Sequence, residues 1–248
     1  MIIIPRYMGR PGDLQFSGPD LKEIDAAGGG CSDATIKLLL HANGVDGGTS
    51  FPDTSCSPHT MTLQGSCTTS TTQVKFGSAS LHVPGTAASL YTDNGVDNAD
   101  FGFGTGDFTI EFWLYPENTN ARTLVYMLDP AGGFNQSKAW LYYNNQGIRC
   151  FIDNADRVNS GDNTMTFNAW KHIALTRASG VFRVFIDGVK LDEQTYSTDL
   201  GATGWCYLGN TSAFGNGLDG YMDDIRITKG TARYTANFTP PASEFPDP

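Results

Sequence analysis

The residues best able to do chemistry in this chain are its acids, its aromatic side chains and its cysteines, and their spacing limits what each can do. Asp223 and Asp224 are adjacent in the run Tyr221-Met222-Asp223-Asp224-Ile225-Arg226-Ile227-Thr228. Neighbours in a strand point to opposite faces. The alternation therefore puts Asp223 inward with Tyr221, Ile225 and Ile227, and puts Asp224 on the other face with Arg226, its expected ion-pair partner. A buried carboxylate must be hydrogen-bonded or bound to a cation, because stripping water from an unpaired charge costs several kcal/mol. Two readings of Asp223 stand open. In one it ligates calcium together with Asn43, Asp46 or Asp53 from the first loop, since Ca2+ takes about six to eight oxygen ligands. In the other it accepts backbone N–H bonds where strands cross.

His41, His59, His82 and His172 are scattered, and no serine or cysteine lies in a nucleophile elbow, so a catalytic triad has no support and the histidines read as structural. Cys31, Cys56, Cys67, Cys150 and Cys206 show no CxxC spacing for zinc or thiol exchange. At most one disulfide is expected. Cys56 and Cys67 flank a Ser/Thr-rich segment across which they could pair, whereas Cys150 and Cys206 sit in apolar strands and read as small buried hydrophobes. Ala139-Trp140-Leu141-Tyr142-Tyr143 puts Trp140 and Tyr142 on one face near a polar turn, an arrangement suited to stacking on a sugar ring and also to core packing. Asp153 and Asn154 in the following loop, and Asn210 in a later one, offer polar groups to a saccharide; such residues are also ordinary in turns. Trp113 and Trp170 read as core.

These side chains need a frame, and the chain is long enough to provide one. Its 248 residues are 40% hydrophobic and 17% charged, a balance that buries a core and is not that of a disordered chain. Subtracting 26 acids from 16 bases gives a net charge of −10, so phosphate backbones and anionic lipid surfaces are repelled and nucleic acid is excluded as a partner. Residues 1–33 differ from the rest: glycine, proline and arginine interrupt every apolar run, and Gly28-Gly29-Gly30 closes the segment. This reads as an assembly arm and linker. The run Met1–Ile4 stops at Pro5-Arg6, too soon for the apolar region of a signal peptide, and no stretch approaches a bilayer's span. The expectation is therefore neither secretion nor membrane insertion.

From residue 34 onward, short runs rich in Val, Ile, Thr, Phe, Tyr and Trp alternate with turn residues, and no helical stripe persists. Strands are expected at 36–41, 80–83, 108–115, 123–128, 139–143, 148–152, 170–176, 181–186, 190–196, 205–208 and 221–228. In the third of these, Phe108, Ile110, Phe112 and Leu114 share one face, and Thr109 and Glu111 the other. Asp187-Gly188 between two apolar runs predicts a hairpin with a type I′ turn. The fold class is all-β, a two-sheet antiparallel jelly-roll sandwich over 34–248 that includes a Pro-rich C-terminal strap.

The ordered motifs Lys37-Leu38-Leu39-Leu40-His41-Ala42-Asn43-Gly44, Lys75-Phe76-Gly77-Ser78-Ala79-Ser80-Leu81, Phe103–Trp113, Trp170-Lys171-His172-Ile173-Ala174-Leu175-Thr176-Arg177, Phe185-Ile186-Asp187-Gly188 and Gly220–Thr228 resemble a LamG-like jelly roll of the concanavalin A-like lectin/glucanase superfamily. The closing run Thr228–Pro241 resembles the end of such domains in bacteriophage virion proteins. Asn43 departs from the Phe-Asp-Gly triplet of the family, which weakens a cation site built there. Glucanases of the superfamily carry Glu-x-Asp-x-x-Glu or a close variant on one strand face, one acid serving as nucleophile and the other as acid/base. Glu23-Ile24-Asp25 begins the pattern in the arm but has no second Glu, so hydrolysis is not expected.

The resemblance implies a non-enzymatic virion protein, either capsid decoration (cement) or a tail or fibre component. Its partners would be other virion subunits through the arm, copies of itself, and host-surface glycans. No cofactor other than Ca2+ is implied. The alternatives are a carbohydrate-active enzyme of glucanase type and a secreted adhesion module.

Overall fold

A computed structural model describes residues 31–248 apart from 86–87, 97, 121, 129–138, 203 and 211–215, with the backbone alone at Leu128, Ala139 and Trp140. Residues 1–30, which hold nearly all of the expected arm, lie outside the described residues. Cys31–Pro248 forms one compact unit.

Its strands are β1 (Ile36–Leu40), β2 (Met61–Gln64), β3 (Thr68–Ser70), β4 (Ser80–Pro84), β5 (Ser89–Thr92), β6 (Phe108–Pro116), β7 (Arg122–Leu128) and β8 (Ala139–Asn144). They continue with β9 (Gly147–Ile152), β10 (Ala155–Asn159), β11 (Lys171–Ala178), β12 (Val181–Ile186), β13 (Val189–Thr195), β14 (Trp205–Leu208) and β15 (Asp219–Lys229). An eight-stranded sheet runs β13-β12-β11-β6-β15-β4-β3, with β1 also on β15, and a seven-stranded sheet runs β10-β9-β8-β7-β14-β5-β2. All named strand pairs are antiparallel, as in a jelly roll. Every expected strand is present. β2, β3, β5 and β10 are additional; they are short and polar, and their neighbours' register holds them in place more than any apolar run of their own.

The core lies between the sheets. Phe108, Ile110, Phe112 and Leu114 of β6 face Leu90, Val125, Met127, Leu141, Cys150 and Cys206 of the seven-stranded sheet in one cluster. Asp187 and Gly188 have φ of 50° and 76°, so both take the left-handed conformation that a type I′ turn requires, and β12 returns directly into β13. Burial leaves the three unpaired thiols inert: Cys67 is pushed up to about 12, and Cys150 and Cys206 are raised further.

Two expectations are corrected here. Cys56 bonds Cys31, 25 residues earlier, and Cys67 is buried in the core, so the Cys56–Cys67 pairing does not form. Strict alternation also fails in β15, where the register on β6 slips between Asp223 and Arg226 and Asp224 takes a left-handed φ of 48°. This bulge adds a residue and inverts the parity beyond it. Met222, Ile225 and Ile227 therefore face the core, while Tyr221, Asp223 and Arg226 lie on the outer face.

Candidate binding site

The outer face of the eight-stranded sheet divides into a covered charged half and an open aromatic half. The covered half results from the chain after β15, which crosses the sheet as a strap. Thr109 Oγ1 donates to the Thr231 carbonyl, Thr176 Oγ1 donates to the Tyr234 carbonyl, and the Phe238 amide donates to the Gly188 carbonyl. Tyr234 and Phe238 stack on each other and reach Phe185, and Phe238 meets His172 edge-on. Phe245 packs with Ile36 and Leu39 beneath the Arg226 guanidinium, 3.7 Å from its ring.

Glu111 is sealed under this strap. Its Oε1 accepts from Arg226 Nε and Nη2 at 2.9 and 2.7 Å, its Oε2 accepts from the Tyr234 hydroxyl at 2.8 Å, and His172 Nε2 stands 3.5 Å away. Burial alone would raise its carboxyl. His172, Arg226 and Tyr234 together hold it below the usual carboxylate range. Arg226 thus pairs with Glu111 across the sheet and not with Asp224, because the bulge turns it to the opposite side. Asp224 is fully buried too; it accepts from His41 Nδ1 at 2.8 Å and from the Phe245 amide at 2.9 Å. The Asp224 carboxylate in turn raises His41 to about 9, and His41 Nε2 reaches Asp247.

The calcium candidates do not assemble into a cage. Asp223 Oδ2 accepts from the Lys75 and Phe76 amides, and Oδ1 from the Asp224 amide. Burial pushes this carboxyl up to about 7 against the pull of those donors. Asn43 Oδ1 accepts from the Ser78 amide and its Nδ2 donates to Glu244, while Asp46 accepts from the Thr71 amide. Asp53 accepts from the amides of Leu39, Ser55 and His59. These oxygens face N–H donors, which is a fit for tethering loops and not for holding a cation. Among the described residues no group of three or more His, Cys, Asp or Glu stands where it could hold a metal.

Trp140 and Tyr142 lie on β8, and Tyr142 is at an outward position of the seven-stranded sheet, since Leu141 and Tyr143 join the core. Register places Trp140 between Tyr126 and Phe151, and Tyr126 opposite Tyr207, which pairs with Tyr91. The middle of this aromatic line is buried, with Tyr126 at 2% and Tyr207 at 6% exposure. Tyr142 donates to Asp156. Asp153 and Asn154 form the left-handed turn between β9 and β10, and Asp153 accepts from the Tyr196 hydroxyl. Asn210 is buried beyond β14, at the opposite end of the sheet. The five glycan candidates therefore do not converge on one site.

The open half of the larger sheet was not legible as a site. Tyr221 pairs in register with Tyr115 on one side and His82 on the other, and Trp170, the residue before β11, meets Tyr115 edge-on at 5.6 Å. His82 stacks on Tyr221 at 4.7 Å. Trp170, Tyr115 and His82 are half-buried, while Tyr221 between them is 5% exposed. Next to this row, Lys75 Nζ sits 3.7 Å above the Trp113 ring, and the buried Trp113 indole N–H has no acceptor. The available signal was parity: Tyr115 and His82 occupy the positions between or beside core residues on their strands.

This double sheet and its core are shared with known proteins. The Laminin_G_3 family model of the concanavalin A-like lectin/glucanase superfamily matches residues 90–233, more than half of the chain, and the chain belongs to that family. A search of curated proteins finds no match. Among solved structures, the chain is similar to domain 4 of AbnA, a GH43 extracellular arabinanase from Geobacillus stearothermophilus in complex with arabinotriose. That likeness has 18% identity and a TM-score of 0.57, over 81% of this chain and 95% of the other. It is similar also to the binding domain of botulinum neurotoxin DC in complex with rat synaptotagmin II, with 15% identity and a TM-score of 0.56 over 79% of this chain and 49% of that one. The same binding domain in complex with SialylT matches at 12% identity and a TM-score of 0.53, over 79% and 48%. The chain spans about half the length of the neurotoxin chains. These likenesses establish the fold.

Proposed function

We propose that this chain is a non-enzymatic bacteriophage virion protein, a capsid decoration or tail or fibre component, whose lectin-like domain binds host-surface glycans while residues 1–33 join it to other subunits. The observation that carries the binding half of this reading is the condition of the acids on the outer sheet face. Glu111 is spent on Arg226 and Tyr234, and Asp223 on three backbone amides, so neither is free to serve as nucleophile or proton donor. Further along the same face the Trp170, Tyr115 and His82 rings remain partly exposed. The arabinotriose complex of the similar arabinanase domain supports a saccharide as the ligand class. The virion half rests on the closing run Thr228–Pro241, whose strap belongs structurally to the sheet it crosses.

Mass spectrometry of gradient-purified phage particles tests the assignment. The full chain should co-purify in fixed ratio to the major subunits, and a chain lacking residues 1–30 should not. Particles free of the full chain would contradict the virion role.

A further inference from the structure

The row Trp170–Tyr115–Tyr221–His82 crosses four adjacent strands, β11, β6, β15 and β4, or their immediate ends. Neighbouring strands lie about 4.8 Å apart, so the row is about 14 Å long. The rows beyond it on the same face end differently. The strap's bonds and ring contacts fall on Thr109, Glu111, His172, Thr176 and Asp224, and there the face is closed. None of those strap contacts falls on this row, whose ring contacts run among its own members. Trp170, Tyr115 and His82 are partly exposed around Tyr221, which is 5% exposed, and partly exposed neighbouring rings cost stability against water and mark ligand surfaces. Tyr, Trp and His combine an apolar ring face with a polar tip, which matches the C–H faces and hydroxyls of a pyranose.

Charge narrows the ligand further. Of the cations beside the row, Lys75 lies over the Trp113 and Phe76 rings and Lys171, next to Trp170, pairs with Asp187. The exposed carboxylate Glu117 acts on Tyr221, and the whole chain carries −10. An anionic sugar would meet repulsion there. Resting on the glycan-binding reading above, we infer that the row Trp170–Tyr115–Tyr221–His82 is the saccharide site, and that it takes an uncharged oligosaccharide laid across the strands.

The test uses the full chain against immobilised oligosaccharides of glucose, galactose, mannose, N-acetylglucosamine and arabinose as uncharged probes, with sialylated and uronate oligosaccharides as anionic ones. An uncharged probe should bind with an affinity that changes little between low and high salt. Trp170→Ala and Tyr115→Ala should each lower the affinity about tenfold through loss of one stacking contact, with little change in melting temperature. Trp170→Phe, which keeps an apolar ring, should retain part of it and guards against a folding defect. Tyr91→Ala on the other sheet should bind as the parent does. Binding unchanged in Trp170→Ala and Tyr115→Ala, or preference for an anionic probe, would overturn the site while leaving the binding reading intact. Failure to bind any probe would overturn both. If the row variants bound saccharide normally but were lost from particles, the row would be a subunit contact and the inference wrong.

Discussion

The His41–Asp224–Asp247 chain shows how single residues fasten the C-terminal strap to β1. Because Asp224 raises His41 to about 9, above the unfolded value of about 6.5, the folded state holds the extra proton between those limits. The stability from this contact is fully present below pH about 6.5 and is lost as pH rises through about 9. His41→Gln should therefore lower the melting temperature most at pH 6, with the gap to the parent closing by pH about 9.5; a gap constant with pH would contradict the assignment. Glu111 and Arg226 make a second, drier contact, at 0% and 8% side-chain exposure. Arg226→Met should cost about 3–5 kcal/mol by leaving a buried carboxylate short of its partner, and adding Glu111→Leu should recover most of that loss, as chemical denaturation of the four-member cycle would measure. The sequence could not reveal this pair. Parity assigned Arg226 to Asp224, and only the bulge, which no residue type announces, turns it toward Glu111.

At the scale of elements, the long strands were legible because their apolar residues alternate or run unbroken: β6, β11, β12 and β15 lie where the pattern puts them. Asp187-Gly188 likewise marked the turn that it makes. What alternation could not show was that both faces of the larger sheet are buried over much of its area. The reason is the strap, a segment without regular structure whose Pro and Asn residues gave no hint of which surface it would cover. Its last anchor is Phe245, 4% exposed. Phe245→Ala should destabilise the fold by about 3–5 kcal/mol, the range for emptying an aromatic site, and should speed hydrogen exchange at the Phe245 amide that Asp224 now accepts. A loss below about 1 kcal/mol would mean that the strap's end is not part of the cooperative unit. Cross-strand register is a second feature hidden from the sequence. Tyr115, Tyr221 and His82 are far apart along the chain and meet only because β4, β15 and β6 are neighbours.

For the molecule as a whole, the net charge of −10 repels nucleic acid, and the proposed displayed domain would meet an uncharged surface. On the proposed virion role, a single saccharide contact is weak and many copies on one particle would convert later contacts into intramolecular ones. The same scaffold could in principle carry hydrolysis, so the decisive comparison is binding against turnover. The full chain is titrated with the uncharged oligosaccharide panel by calorimetry, and the same mixtures are assayed for released reducing ends. Saturable binding is expected, with no reducing ends above the protein-free control. Turnover of any oligosaccharide, abolished by a single Asp or Glu substitution within 34–248, would contradict it.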